Sequence, residues 1–273
     1  MRCLIVNVEN NNKKKKAELC RMTWREAEEA FTKKPVILIP MGSIEQHGPQ
    51  TPTGDYRYMI EIAQQIAGCS EAICAPTIPW GYSEYFKHFP GCLTLQAETL
   101  KAVLFDIIDG FIRYDLDHII FVCGHKGNMP ILEHVARVVK ERNGIRMATI
   151  EPLSWLTAKF MQKAYGNDTV QTGHGSDPMT SLAMHLFPED VRMDMAEKGN
   201  PSVFEGYNIK GMSMIDFEGY PAYVYCDTEE ITQNGVFGDS SHASSDVGRQ
   251  CTEHMVDIGG RFVKWFALQN SRC

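Results

Sequence analysis

Two kinds of hydrophobic patterning alternate along the first half of the chain. Residues 36–40 (VILIP), 71–76 (EAICAP), the front of 117–144 (DHIIFVCGHKGNMPILEHVARVVKERNG) and 146–150 (RMATI) hold short continuous apolar runs. That is the pattern of strands covered on both faces. Between them, 58–68 (YMIEIAQQIAG), 97–114 and the end of 117–144 place apolar residues at helical spacing, with Gly68 and Gly144 as caps. An earlier helix is expected from Thr23, which fits a capping box with Glu26 and leads to Phe31. Strands alternating with helices predict an α/β fold, a layered α/β/α arrangement with a mainly parallel central sheet. In such a sheet the residues following the strands gather along one edge.

The second half is less regular. Residues 180–191 (TSLAMHLFPEDV) predict a helix stopped before Pro188, and 222–226 (AYVYC) a strand. Residues 200–221, rich in Gly, Ser and aromatics, suit a lid or an oligomer-contact loop. No repeat or low-complexity linker divides the chain, so a single domain over 1–273 is expected, with 1–21 a peripheral N-terminal segment. The run Lys13–Lys16 reads as a solvated loop.

Charge narrows the partner. With 27 basic and 34 acidic residues the net charge is −7, which argues against nucleic acid and for a small-molecule substrate. Nine cysteines without a CxxC pair suit a reducing cytoplasm. No window approaches the roughly 18 apolar residues of a membrane span, and the first residues lack the order of a secretory leader.

The chemistry concentrates where strands end. The stretch IPMGSIEQHGPQTPTGDY, residues 39–56, carries Glu45, His47 and Asp55 behind an apolar run; His125, His174 and Asp177 sit in later Gly-rich or Pro-rich loops. Glu, Asp and His are the usual oxygen and nitrogen ligands of zinc or manganese. Each also has a structural alternative: Asp55 as an N-cap, His125 as a cap of the helix after GHKGN, His47 as a hydrogen-bonded loop histidine, and Glu45 as a loop charge. GHKGN lacks the full GxxxxGK[ST] phosphate-loop spacing. Cys123, beside His125, offers a thiol nucleophile but closes an apolar strand, which favours burial.

MTW at 22–24, GSIEQHGP at 42–49, HFPG at 88–91, GHKGN at 124–128 and TSLAMHLFPEDVRMD at 180–194 together resemble the creatinine amidohydrolase (creatininase) family, from about Met22 to Gly248. The resemblance implies a layered α/β fold, assembly as a homo-oligomer, commonly a hexamer, and two divalent metal ions per chain (Zn, Mn or Fe) that hydrolyse amide-type bonds. Glu45, His47 and His125 match the family's ligands. Asp55 matches a bridging aspartate, one position nearer His47 than the family spacing. GHGSDPMTS at 173–181 resembles the family's HAGxxETS, so His174 matches its histidine, expected to move protons, and Asp177 falls near a ligand carboxylate.

The resemblance thus implies one ion on Glu45, Asp55 and His125, and another on His47, Asp55 and Asp177, with a shared water attacking a carbonyl. Trp155 resembles a tryptophan on a loop that covers substrate, and Tyr82, Glu84 and His88 are candidates to line the pocket. Gly127 stands where creatininase itself carries a glutamate, and Met179 replaces another. Both departures point away from creatininase proper and toward a hydrolase of a small cyclic amide or formamide-type substrate. The alternatives are a carbon-carbon ring-opening hydrolase of an inositol-derived cyclic diketone, creatininase proper, and a non-catalytic metal-binding member.

Overall fold

The structure, a computed structural model, describes residues 16–166, 170–199 and 203–272. In chain order the elements are α1 (Trp24–Phe31), β1 (Ile37–Met41), α2 (Tyr56–Ser70), β2 (Ile73–Cys74), α3 (Ala97–Ile112), β3 (Ile119–Cys123), α4 (Met129–Asn143), β4 (Ala148–Ile150), α5 (Ala158–Ala164) and α6 (Met179–Leu186). There follow β5 (Val203–Phe204), β6 (Tyr207–Gly211), β7 (Met214–Phe217), β8 (Tyr220–Tyr223), α7 (Thr228–Ile231) and α8 (Ser245–Phe266).

β1 to β4 form one parallel sheet in the order β2-β1-β3-β4, with Ile37 to Met41 in register with Ile119 to Cys123. Alternate strand residues feed two apolar layers. Leu38, Ile120 and Val122 pack with α2, α6 and α8, whereas Ile37, Ile39, Phe121 and Cys123 pack with α3 and α4. This is the expected α/β/α layering. Each fully buried Ile, Leu or Phe contributes about 1.5–3 kcal/mol, so the continuous runs, buried on both faces, anchor the strands whose ends carry the candidate chemistry.

Proline in the central strand β1 needs a reason, because it cannot donate to the ladder. Pro40 offers its carbonyl to Ile78 N–H (2.9 Å) on the side where β2 has already ended at Cys74. Its missing N–H therefore faces the gap after β2. The predicted capping box of α1 is present, and α4 ends at Gly144 with φ +66°.

Beyond α6 the picture changes. Residues 203–223 fold as an antiparallel meander, β5-β6-β7-β8, turning at Gly206 and Gly219. It leaves Tyr220, Tyr223 and Tyr225 exposed. The long helix α8 lies across α2 and α6, and its glycines allow the close approach. A Cβ on Gly248 would stand 2.0 Å from Ser181 O, and one on Gly259 2.4 Å from Ile66 Cδ1. No described helix is long and apolar enough to cross a membrane. Residues 1–15, including most of the lysine run, and residues 200–202 lie outside the described residues.

Candidate metal centre

The loop after β1 is folded around its own carboxylate. Ser43 N–H donates to Asp55 Oδ1 (2.6 Å), and a Cβ on Gly42 would come within 2.1 Å of that oxygen, so only glycine fits there. Asp55 stands at the start of α2 but makes no side-chain cap bond; neither does His125 at the turn after β3. Both side chains are thereby released from the structural roles open to them. Asn128 ties three segments together: its Oδ1 accepts from Tyr82 N–H (2.8 Å), and its Nδ2 donates to Gly42 O (2.9 Å). Gln50 Nε2 donates to Gly175 O (2.8 Å), joining the same loop to the segment that carries His174.

These contacts bring five ligand-type side chains together in two overlapping groups: Glu45 with Asp55 and His125, and Glu45 with His47 and His174. Within each group the candidate donor atoms lie within 4.8 Å of one another. Glu45, His47, Asp55 and His125 are each 3% exposed or less, and His174 is partly buried. Glu45 Oε1 lies 3.3 Å from His47 Nε2, and His125 Nδ1 faces both Glu45 Oε2 (2.8 Å) and Asp55 Oδ2 (3.4 Å). The approach to Glu45 Oε2 lacks hydrogen-bond alignment. That oxygen and His47 Nδ1 are both buried without a hydrogen-bonding partner.

Buried polar atoms are normally satisfied, so these orphans, inside a mixed carboxylate-imidazole set, fit divalent cations. The outer contacts fit as well. A ligand histidine usually donates its second N–H to a carbonyl; here His125 Nε2 reaches Tyr82 O (2.9 Å) and His174 Nε2 reaches Gln46 O (2.8 Å).

The electrostatics follow from burial and mutual proximity. Burial opposes ionisation of Glu45, but the facing His125 imidazole outweighs it and holds the carboxyl well below the ordinary range. Asp55 is pushed upward by burial and then by the Glu45 charge. Burial works against a charged His125, yet Glu45 and Asp55 raise it well above an ordinary histidine; Glu45 raises His47 in the same way. His174 is brought down to about 4 by burial and by His47, so it stays neutral. The pocket stabilises positive charge between Glu45 and Asp55, which is the requirement for holding a cation.

The other sequence candidates are placed elsewhere. Asp177 is brought to neither group: its Oδ1 accepts from Ser181 N–H and Oγ–H (3.0 Å each) at the start of α6. His174 stands in the second group instead, and Glu45, not Asp55, is common to both. Met179 is a core residue under α2 and α8. Trp155 lines a groove with Phe160 and His254 on the α5 and α8 side, its carbonyl 3.2 Å from His254 Nε2. Tyr82 serves the site through its backbone.

Glu84 and His88 point outward, Glu84 to Lys87 (3.2 Å) and His88 to Asp227 (3.1 Å) and Glu229 (3.4 Å) near α7. Gly127 is a close-approach position, where a Cβ would meet Tyr82 O at 2.4 Å and His125 Nε2 at 2.5 Å. Cys123 is buried, its thiol is pushed up by that burial, and its Sγ–H donates to His125 O (3.1 Å).

Three contributors escaped the sequence reading. Tyr85 stacks on His125 (6.0 Å, 24°) with its hydroxyl 3.2 Å from Nε2, and Phe86 stacks on His174 (4.6 Å, 24°). Gln46 Nε2 donates to Gly235 O (3.0 Å) while its Oε1 accepts from Gly48 N–H (2.7 Å). Gln46 lies inside the EQHGP element and was legible as a neighbour of two ligands. No local signal marks Tyr85 or Phe86.

The family model for creatininase, creatinine amidohydrolase, matches residues 20–263. The chain belongs to this family. Among its relatives are the mycofactocin precursor peptide peptidase of Mycobacterium ulcerans (26% identical over 242 residues, 85% of this chain and 86% of the relative) and the 3-dehydro-scyllo-inosose hydrolase of Thermotoga maritima (27% over 261 residues, 89% and 81%). A creatinine amidohydrolase of Pseudomonas putida is 28% identical over 204 residues, 69% and 78%. A crystal structure of creatininase superposes with a TM-score of 0.76 at 22% identity, covering 94% of this chain and 100% of that one. Another neighbour, described as a manganese creatininase, has a TM-score of 0.74 at 22% identity and covers 92% of this chain and 98% of its own. At this identity they establish the creatininase fold. Membership of the family makes the chain a hydrolase.

Proposed function

We propose that this creatininase-family protein is a metal-dependent hydrolase that opens or deformylates a small cyclic amide or formamide-type substrate. The observation that carries the reading is the convergence of Glu45, His47, Asp55, His125 and His174 into two donor groups that share Glu45. Glu45, Asp55 and His125 would hold one divalent ion, and Glu45, His47 and His174 a second. When bound, such ions polarise a carbonyl and make water a nucleophile near neutral pH.

The chain's own groups fix the rest. The Tyr82 carbonyl claims the Nε2–H of His125, leaving its Nδ1, which faces Glu45 and Asp55, free to hold an ion, and the Gln46 carbonyl claims the Nε2–H of His174, leaving that ring its other nitrogen as a ligand. His174, neutral at physiological pH, is suited to that part. The Glu45 and Asp55 carboxylates supply the negative charge, and the buried surroundings strengthen every interaction within the pocket. With Glu45, His47, Asp55 and His125 each 3% exposed or less, a compact planar substrate suits the centre better than an extended chain.

The test is a panel of lactams, formamides, cyclic diketones and short peptides, offered to zinc- or manganese-reconstituted protein, with Glu45→Gln alongside. The expected result is hydrolysis of lactams or formamides that disappears in Glu45→Gln. Turnover of cyclic diketones alone would move the assignment to the carbon-carbon hydrolase, and turnover that survives Glu45→Gln would contradict the reading.

A further inference from the structure

Tyr85 belongs to a short helical turn, Glu84–Phe86, that lies across both donor groups: its own ring stacks on His125, and the next ring, Phe86, stacks on His174. The turn is braced on both sides. Phe86 is 1% exposed and its N–H donates to Ser83 O (2.9 Å), while Lys87 and His88 are tied to Asp227 (3.8 and 3.1 Å).

The proton inventory around His125 has one consequence. Nε2 is 2.9 Å from the Tyr82 carbonyl oxygen and 3.2 Å from the Tyr85 hydroxyl. A carbonyl oxygen has no proton to give, so the first contact requires that Nε2 carry one. This holds whether Nδ1, facing Glu45 and Asp55, is protonated or coordinates an ion. The Tyr85 oxygen therefore meets an N–H and can only accept from it. Its own proton must point elsewhere. Among the described residues that hydroxyl makes no other hydrogen bond. A half-buried O–H donor, held in place and without an acceptor, thus stands beside the donor group that would face a substrate carbonyl.

We propose that Tyr85 is a catalytic residue of this hydrolase: its O–H donates a hydrogen bond to the substrate's carbonyl oxygen as negative charge builds there. This rests on the functional reading above. No bond to Tyr85 forms or breaks, and the proton stays on the phenol. A fixed donor aimed at a developing oxyanion is worth roughly 10²–10³ in kcat, because it is stronger for the charged oxygen than for the neutral carbonyl.

The experiment compares wild type with Tyr85→Phe, which keeps the ring on His125 and removes only the hydroxyl. Both full-length proteins are reconstituted with zinc. Three quantities are read: zinc content, the Kd for acetohydroxamate as a carbonyl-oxygen probe, and kcat and KM on the best substrate of the panel. The expected result is unchanged zinc content, probe binding weakened about tenfold, as for one lost hydrogen bond, and kcat lowered about 100-fold with KM nearly unchanged.

Wild-type kcat and probe affinity in Tyr85→Phe would overturn the assignment. So would loss of zinc in the variant, which would make Tyr85 a positioning residue for His125. Absence of zinc from the wild type would overturn the underlying reading, and the zinc content distinguishes that failure from the others.

Discussion

Gly127→Ala is a small change that should damage the centre out of proportion to its size. The added Cβ would sit 2.4 Å from Tyr82 O and 2.5 Å from His125 Nε2, where ordinary contact begins at 3.4 Å. Neither neighbour is the loose end of a flexible side chain. One is a backbone oxygen whose residue is held by Asn128 Oδ1, and the other is an imidazole wedged between Tyr85 and two carboxylates. Relief requires a displacement of about 1 Å, enough to break the 2.9 Å contact between His125 Nε2 and Tyr82 O. Losing the outer partner of a ligand histidine typically costs about 10–100-fold in metal affinity, and overpacking costs about 1–3 kcal/mol of folding stability. Zinc affinity by chelator competition and stability by urea titration read the two effects separately. Gly68→Ala is the matched control. An exposed α2 glycine with nothing within 4 Å of a new Cβ, it should leave zinc affinity unchanged and add about 0.5–1 kcal/mol of stability. Wild-type zinc affinity in Gly127→Ala would refute the steric reasoning.

Three further outcomes follow from the same geometry. His174 titrates near 6.5 in an unfolded chain but near 4 when folded, so the unfolded state takes up the proton first. His174 should therefore contribute a loss of stability to metal-free protein as pH falls from about 6.5 to about 4, and His174→Gln should remove that part of the slope in urea titrations; an unchanged slope would contradict it. Asp177→Asn keeps an oxygen for Ser181 and should retain wild-type zinc content, whereas loss of zinc would return Asp177 to the ligand set. Cys123→Ser should keep both zinc and hydrolysis, since an inward hydroxyl can donate to His125 O as the thiol does; loss of hydrolysis with zinc retained would revive the thiol nucleophile.

What the sequence disclosed about the fold was what is local. The runs at 36–40 and 119–123 are buried on both faces, so they contain no polar interruption and stand out as parallel strands. The helix α8 did not stand out. Its buried stripe, Val247, Cys251, Met255, Val256 and Val263, is diluted by Gly248, Gly259 and Gly260, and the first two are small because α6 and α2 cross so closely there. Most of the meander, residues 203–221, reads as a loop because its strands are short and only partly covered, so alternation is weak; only its end falls within the expected strand at 222–226.

At the site, Glu45, His47, Asp55, His125 and His174 were legible because ligand-type residues gathered at strand ends. Asp177 has the right chemistry but lies outside both groups, with its Oδ1 bound to the first turn of α6. Glu84 turns to the neighbouring Lys87, His88 turns to Asp227 and Glu229 more than a hundred residues away near α7, and Tyr85 joins the centre only because the segment after β2 folds back over His125. Such long-range pairings leave no spacing to read.

The central claim is that Glu45 is common to two ion-binding groups, and metal content tests it most directly. Zinc per chain should be measured after reconstitution and desalting for wild type, Glu45→Gln, Asp55→Asn and His174→Gln. The account predicts two ions in wild type, none in Glu45→Gln, and one in each of the other two. Two ions retained in Glu45→Gln, or none in wild type, would contradict it.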